Sequence, residues 1–521
     1  MTLPPKLNAR EFARAVAELR SIVGADWVFT EEDDRQAWRD PMFPGDARRV
    51  DLSTAVAPAT VQEVQAVVKV ANRYRLPLWP VSTGKNYAYG GASPALKGTI
   101  VLDLKRMNRI IEVNEQYGYA IVEPGVTYFD LYRHIKAKGL KLWIDCPSPG
   151  WASVLGNAME RGLGNTPYSD HAAQQCGMEV VLPTGDLVRT GMGAIENSPL
   201  WGLQKNPFGP TFDGMFMQSN LGIVTKMGIW LMPEPEVFAQ CNIRLQREDA
   251  LGPMIDALRP LRLNGTIQNP ASVRSWIGML LGQATKKEVH DGPGAIPREL
   301  VPQILQQRNL SWWSTGFSLY GYEEVVEANL KVVRKALGNV PGAEALSVRK
   351  SPGDKVPDSA GTQAGVPSLG AFSTLNWPGG RGSHLDFSPV YEPSGAVAMA
   401  EYQFMRSLFE RHGFDFPATY SITSPRYMAC VTPIMFDADN RQQAEAAGRL
   451  FQEAHQHLGT KGYGLYRAHV AFMDQVQQAQ GFNQHALRRL SERIKDALDP
   501  QGILAPGKQG IWPKSMKGGR A

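Results

Sequence analysis

The 521-residue chain has little cysteine: Cys146, Cys176, Cys241 and Cys430 lie far apart with no CxxC spacing. That argues against a disulfide scaffold and against a thiolate-held metal, so no metal site is expected. No apolar run approaches the roughly 18 residues that a membrane span needs. The opening MTLPPKLNAREFARAVAELR has no apolar core of signal-peptide type, so a cytoplasmic protein is the expectation. Charge of one sign is also scarce. The net charge is +5 and the lysines and arginines are dispersed. Only the tail KSMKGGRA is clearly basic, which a solvated terminus explains. Without a basic stripe and aromatic platforms, nucleic acid is not an expected partner. Internal repeats are absent as well.

What remains is globular: 43% apolar and 20% charged residues, in a chain long enough for two or three domains. Residues 50–232 alternate strand-like and helix-like segments. Asn8 with Glu11, and Thr60 with Glu63, have capping-box spacing ahead of amphipathic runs. TAVAP and LPLWPVS flank the second of these helices, a strand–helix–strand pattern. GTIVLDL and YAIVEPG are further strands, Thr127 caps a helix ending near Gly139, and EVVLPTGDLVRTG forms a hairpin. MPEPE, residues 232–236, marks a boundary. Helices are expected near 323–337, 395–412, 440–458 and 484–498. The expected organisation is α+β: residues 1–236 form the first part of one domain, 237–460 a second domain, and 461–521 a segment returning to the first.

Three stretches carry possible chemistry. PVSTGKNYAYGGA, residues 80–92, follows a strand and can free several backbone N–H groups for an anion. It matches neither a P-loop nor a GxGxxG fingerprint, and an ordinary tight loop is the competing reading. EPGVTY, PGWASVLGNAMERGLG and SNLGIV bring the glycine-rich loops to four, a number that suits a long phosphate-bearing ligand laid across strand ends. GYGLYRAHVAFMD contains adjacent Tyr466 and Arg467, which face one site only if the chain bends there; a structural Tyr–Arg pair is the competing reading. GGRGSHLDFSP sets His384 in a glycine-rich loop, as a solvated loop residue, a hydrogen-bonding spacer, a metal ligand or an attachment point.

STGKNYAYGG, VEPGVTYFDLY, FMQSNLGIVTKMG, GYGLYR and ALDPQGILAPGKQGIWP together resemble the vanillyl-alcohol oxidase and p-cresol methylhydroxylase flavoproteins, nearest the eugenol oxidase and hydroxylase group. The resemblance runs from about residue 10 to 512 and is weakest over 240–370. It implies a two-domain FAD-binding fold with a central cap domain, and a homodimer. FAD would lie on Ser82, Thr83, Gly84, Lys85, Asn86 and Gly90, on Pro124 and Gly125, on Ser148, Gly156 and Asn157, on Ile223 and Val224, and near Lys508. His384 would carry FAD covalently. Tyr89, Tyr466 and Arg467 would surround the phenol oxygen of a 4-alkylphenol. The implied reaction is benzylic hydride transfer, p-quinone methide formation and water addition.

Three departures qualify the resemblance. Ser148 stands where the related oxidases have an aspartate, which favours a hydroxylase that passes electrons to a cytochrome c or copper protein over one that uses O₂. Residues 370–376, GAFSTLN, lack a glutamate. Ala172 and Ala173 replace bulkier residues, which would admit eugenol-like or larger phenols if both face the pocket. Asp170 and His171 are then the nearby candidates for activating water. Cys146 is expected to be a buried, inert thiol. A hydroxy-acid or sugar oxidoreductase of the broader fold is the more distant alternative.

Overall fold

The computed structural model describes residues 2–519; Arg520 and Ala521, the end of the basic tail, lie outside them. Two structural units follow from how the strands pair. In the first, Thr54–Val56 and Leu78–Val81 flank the helix Val61–Tyr74, as the apolar runs predict. They are not neighbours in the sheet: Ile100–Asp103 inserts between them, parallel to both. Beside this lies an antiparallel sheet of five strands, in which Ile223–Trp230 pairs with Tyr119–Val122 and with Gln175–Val181. The capping boxes at Asn8/Glu11 and Thr127/Asp130 form, and Thr60 accepts from the Glu63 amide.

The second unit is a nine-stranded sheet. Its order runs Ser347–Pro352, Val237–Leu245, Trp313–Gly321, Ala271–Ser275, Thr419–Ser424, Tyr427–Asp437, Pro389–Tyr391, Gly464–Leu465, with Gly382–Phe387 also on Tyr427–Asp437. The helices Leu251–Leu263, Glu323–Leu337, Gly395–Arg411 and Arg441–Lys461 cover one face. Strand periodicity decides what the other face carries. Ala271, Val273, Tyr420, Ile422, Cys430, Ile434, Leu385 and Phe387 enter the helix-side core. Each fully buried large apolar side chain there contributes about 1.5–3 kcal/mol. The alternate positions, Ser272, Arg274, Thr419, Ser421, Thr423, Val431, Pro433, His384 and Asp386, line a cavity between the units.

The C-terminal segment is fastened to the first unit. The Leu78 amide donates to the Ile503 carbonyl at 2.7 Å, and the Ala505 amide to the Leu78 carbonyl at 2.7 Å. Lys495, fully buried, donates to Asp499 and to the carbonyls of Asn220 and Leu504. Gly464–Leu465, however, still belongs to the central sheet. No described helix is long and apolar enough to cross a membrane.

Candidate functional site

The cavity between the units has a volume of about 520 Å³. Its floor begins where the strand Leu78–Val81 ends. Gly84, Ala88, Gly90 and Gly91 all have positive φ, so the backbone curls after the strand. Among the described residues, the amides of Thr83, Gly84, Lys85, Asn86 and Tyr87 donate to no protein acceptor. Convergent free amides of this kind suit an anion such as a pyrophosphate. The loop also sits very close to the helix Val154–Met159. A Cβ on Gly156 would fall 2.2 Å from Ser82 Oγ, so any side chain there would force the Ser82 hydroxyl to move.

Of the residues expected around a cofactor, Ser82, Thr83, Gly84, Lys85, Asn86, Pro124, Ser148, Gly156, Asn157, Ile223, Val224, His384 and Lys508 line this cavity. Gly90 and Gly125 stand behind it. A Cβ at Gly90 would meet Val470 at 2.6 Å, and one at Gly125 would meet the Lys105 carbonyl at 2.4 Å. Their smallness serves close packing of the wall rather than contact with a ligand.

The chain bends at Tyr466 just after Gly464–Leu465, and both Tyr466 and Arg467 therefore reach the cavity. The Arg467 guanidinium lies 4.0 Å from the Tyr89 ring centre and donates to Asn86 Oδ1. Gln218 holds the Tyr466 carbonyl at 2.9 Å. The next turn is pinned from behind: His469 and Asp40, both fully buried, are bonded at 2.8 Å. His469 Nδ1 accepts the Ala471 amide, so Nε2 carries the proton toward Asp40. Burial pushes the Tyr89 phenol well above its usual pKa; Asp386 and Tyr466 add to this, while Arg467 and Ser388 oppose it. Burial also works against the charge on Arg467, but Tyr89, Tyr466, Glu160 and Asp386 together hold its pKa above the ordinary value. The tyrosine hydroxyl is thus a neutral donor beside a fixed cation.

His384 is not in a loop. It sits on the strand Gly382–Phe387, opposite Met435, with Asp386 on the same face two residues on. The glycines that suggested a loop end where the strand begins. Its Nε2 is 3.4 Å from Asp386 Oδ1, and its buried Nδ1 has no hydrogen-bond partner among the described residues. Ser219 Oγ, also on the cavity, is buried without a partner. These orphaned atoms and the free amides fit a large polar cofactor such as FAD.

Several expectations are corrected. Asp170 and His171 do not reach the cavity: Asp170 accepts the Ala173 amide, and His171 is bonded to Asp145 at 2.7 Å and to Asn157. The His171–Asp145 pair orients Asn157 instead. Ala172 packs toward the first unit's core and Ala173 is exposed, so neither enlarges the pocket. Cys146 is buried, and burial raises its thiol pKa well above normal, which leaves it inert. Sequence reasoning missed Asp386, Glu160, Gln218 and Arg274 on the cavity wall. Period-2 spacing from His384 would have found Asp386, had the segment been read as a strand. Glu160 is bonded to Lys508, and Lys508 with Arg467 holds the Glu160 pKa down against burial.

Residues 53–191 match the family described as an FAD binding domain, and residues 428–509 the C-terminal domain of FAD linked oxidases. The chain is 37% identical over 514 residues to the flavoprotein subunit of 4-cresol dehydrogenase [hydroxylating] from Pseudomonas putida, covering 98% of this chain and 97% of that protein. The 4-ethylphenol oxidase from Gulosibacter chungangensis, solved with isoeugenol, superposes with a TM-score of 0.94 at 35% identity over 99% of this chain and all of that one (100%). Substrate-bound p-cresol methylhydroxylase superposes at 0.92 and 36%, with 98% and 99% covered.

Proposed function

Because the chain belongs to the vanillyl-alcohol oxidase and p-cresol methylhydroxylase family, it is an FAD-dependent oxidoreductase, and we propose that it oxidises 4-alkylphenols at the benzylic carbon. The observation that carries this reading is Arg467 stacked over Tyr89, beside Tyr466, in the cavity that also holds the free-amide loop.

Arg467 and the two tyrosine hydroxyls are assigned to the phenol oxygen. A free phenol has a pKa of about 10 and is protonated at neutral pH. A guanidinium and two hydroxyl donors favour the phenolate. Phenolate sends electron density to the para position and weakens the benzylic C–H bond. Bound FAD supplies the acceptor for that hydride. The substrate is then a p-quinone methide; water adds to its benzylic carbon, and the water's second proton restores the phenol. A second round gives an aldehyde or ketone.

Among the described residues, two carboxylates line the cavity, Glu160 and Asp386. Glu160 is neutralised by Lys508. Asp386 acts electrostatically on both Tyr89 and Arg467, so it is assigned as acceptor of the phenol's proton. Ser148 cannot act unaided as a base for the water. We assign electron transfer to a cytochrome c or similar protein, supported by Ser148 in place of an aspartate. Direct use of O₂ is the second reading, favoured by the likeness to an enzyme named an oxidase. Anaerobic reduction by 4-ethylphenol, and by eugenol as a bulkier probe, followed by reoxidation with air or with cytochrome c separates the two: slow reoxidation by air and fast reoxidation by cytochrome c are expected. No reduction by any alkylphenol would overturn the substrate reading.

His384 is assigned as the covalent tether, on the strength of its place on the cavity wall and its buried, unpartnered Nδ1. Acid precipitation should leave flavin in the wild-type pellet and release it from His384→Ala. Release from the wild type would end the assignment.

A further inference from the structure

Among the described residues, four lysine and arginine side chains line the cavity: Lys85, Arg274, Arg467 and Lys508. Lys508 is paired with Glu160, Arg467 with Asn86 and the Tyr89 ring, and Lys85 lies 5.6 Å from the Trp151 ring centre. Arg274 is different. Among the described residues its side chain has no hydrogen bond, ion pair or ring contact. Protein surrounds the guanidinium closely enough that burial lowers its pKa, with no carboxylate near enough to oppose the shift. By surface area Arg274 is exposed, and it lines the cavity. The stem lies against Gly278, where a Cβ would come within 2.7 Å of Arg274 Cγ, so a small residue there leaves the arginine its path. A guanidinium crowded by protein on several sides and left without a counter-ion is less favourable than one in open water. The cost is offset where the counter-ion arrives with a ligand.

The sheet fixes where that ligand ends. Arg274 is on Ala271–Ser275, opposite Thr419, and Asp386 is on Gly382–Phe387, opposite Pro433. The strands Thr419–Ser424 and Tyr427–Asp437 lie between them, so the two residues are three strand spacings apart, roughly 14 Å at the backbone. Between them the wall carries Thr419, Ser421 and Thr423, with Ser272 bonded to Ser421 at 3.1 Å. Asp386, whose charge acts on Tyr89 and Arg467, stands at one edge of this four-strand stretch of wall, and Arg274 stands at the other.

We propose that Arg274 binds a carboxylate at the far end of the substrate, and that the preferred substrates are 4-alkylphenols whose side chain ends in a carboxylate, the hydroxyphenyl-alkanoate class. This rests on the phenol-end reading above and narrows it. Arg presents a planar fork that matches a carboxylate with two N–H donors.

The test uses the flavin-loaded enzyme. Calorimetry compares binding of 4-hydroxycinnamate, whose vinylic carbon yields no hydride, with its uncharged amide. Anaerobic flavin reduction compares 3-(4-hydroxyphenyl)propanoate with its amide. The acid is expected to bind about 10- to 100-fold better than the amide, the range of a charge-assisted hydrogen bond. Arg274→Gln should bring the acid-to-amide ratio close to one, and Arg274→Lys should retain part of it. An amide bound as well as the acid by the wild type, or a ratio unmoved in Arg274→Gln, overturns the proposal. So does loss of FAD from Arg274→Gln, which would assign the arginine to the cofactor. Should the glutamine variant not fold, the wild-type ratio and Arg274→Lys decide. Failure of the broader reading looks different: 4-ethylphenol and the acid would then both leave the flavin oxidised. If only this proposal fails, 4-ethylphenol still reduces the flavin and the acid shows no advantage over its amide.

Discussion

The two walls of the cavity obey different rules. The wall of the first unit is backbone: free amides at 83–87, positive-φ turns, and a glycine contact between Ser82 and Gly156. The wall of the central unit is side chain: hydroxyls, Arg274, His384 and Asp386 on alternate positions of four strands, with core residues between them. A backbone wall recognises what all its ligands share, such as a phosphate. A side-chain wall can change one residue at a time without disturbing the fold. The first is therefore suited to a fixed cofactor and the second to a variable substrate. Arg467 and Tyr466 come from the joint between them, on the bend that follows the last strand of the central sheet.

Breaking the joint should have the largest effect. Arg467→Ala removes the charge assigned to the phenolate, and loss of one such preorganised group costs about 10²- to 10³-fold in rate. Stopped-flow reduction by 4-ethylphenol should slow by that amount while the purified protein keeps its flavin. A loss under threefold would show that the phenol oxygen is held elsewhere. Parallel loss of flavin would move Arg467 from the substrate to the cofactor wall.

A smaller effect belongs to the backbone wall. Gly156→Ala places a methyl group 2.2 Å from Ser82 Oγ. Overpacking of this kind costs about 1–3 kcal/mol, or roughly 5- to 150-fold in FAD affinity. The measurement belongs in the His384→Ala background, where FAD is expected to exchange freely. Ser82→Gly in the same chain should restore affinity, because it removes the atom that is struck. Unchanged affinity in Gly156→Ala would mean that the loop can shift and that its tight seat on the helix is not what holds the cofactor.

The same division explains what could be read from the sequence. Glycine spacing, caps and strand–helix alternation are local signals, so the backbone wall, the helices near 323–337 and 395–412, and the hairpin ending at Arg189 were all legible. The side-chain wall was not. Whether Asp386 or Leu385 faces the cavity depends on the register of Gly382–Phe387 against Tyr427–Asp437, a pairing across about fifty residues. The glycines at 379, 380 and 382 also hid the strand behind a loop signal. Arg274 gave no local signal, since a lone arginine in ASVRS reads as a solvated strand position. The Ala172 and Ala173 expectation came from the resemblance and depended on both residues facing the pocket; Ala172 packs toward the first unit's core and Ala173 is exposed, so the condition is not met.

The smallest predicted effect tests whether the tyrosines at the joint are donors or bases. An ionised phenol is the charged form, and burial disfavours it, so the Tyr89 pKa rises; Asp386 and Tyr466 push the same way, and the opposing pull of Arg467 and Ser388 does not reverse the sign. Tyr89 therefore stays protonated from pH 6 to pH 9, and removing its hydroxyl removes one donor throughout that range. Tyr89→Phe should lower kcat/KM for 4-ethylphenol by roughly 5- to 10-fold, the worth of one hydrogen bond, and by the same factor at every pH in the window. A ratio of wild type to variant that falls toward one by pH 9 would mean that Tyr89 ionises within the window. Its role would then be that of a base, and the proton acceptance assigned to Asp386 would pass to it.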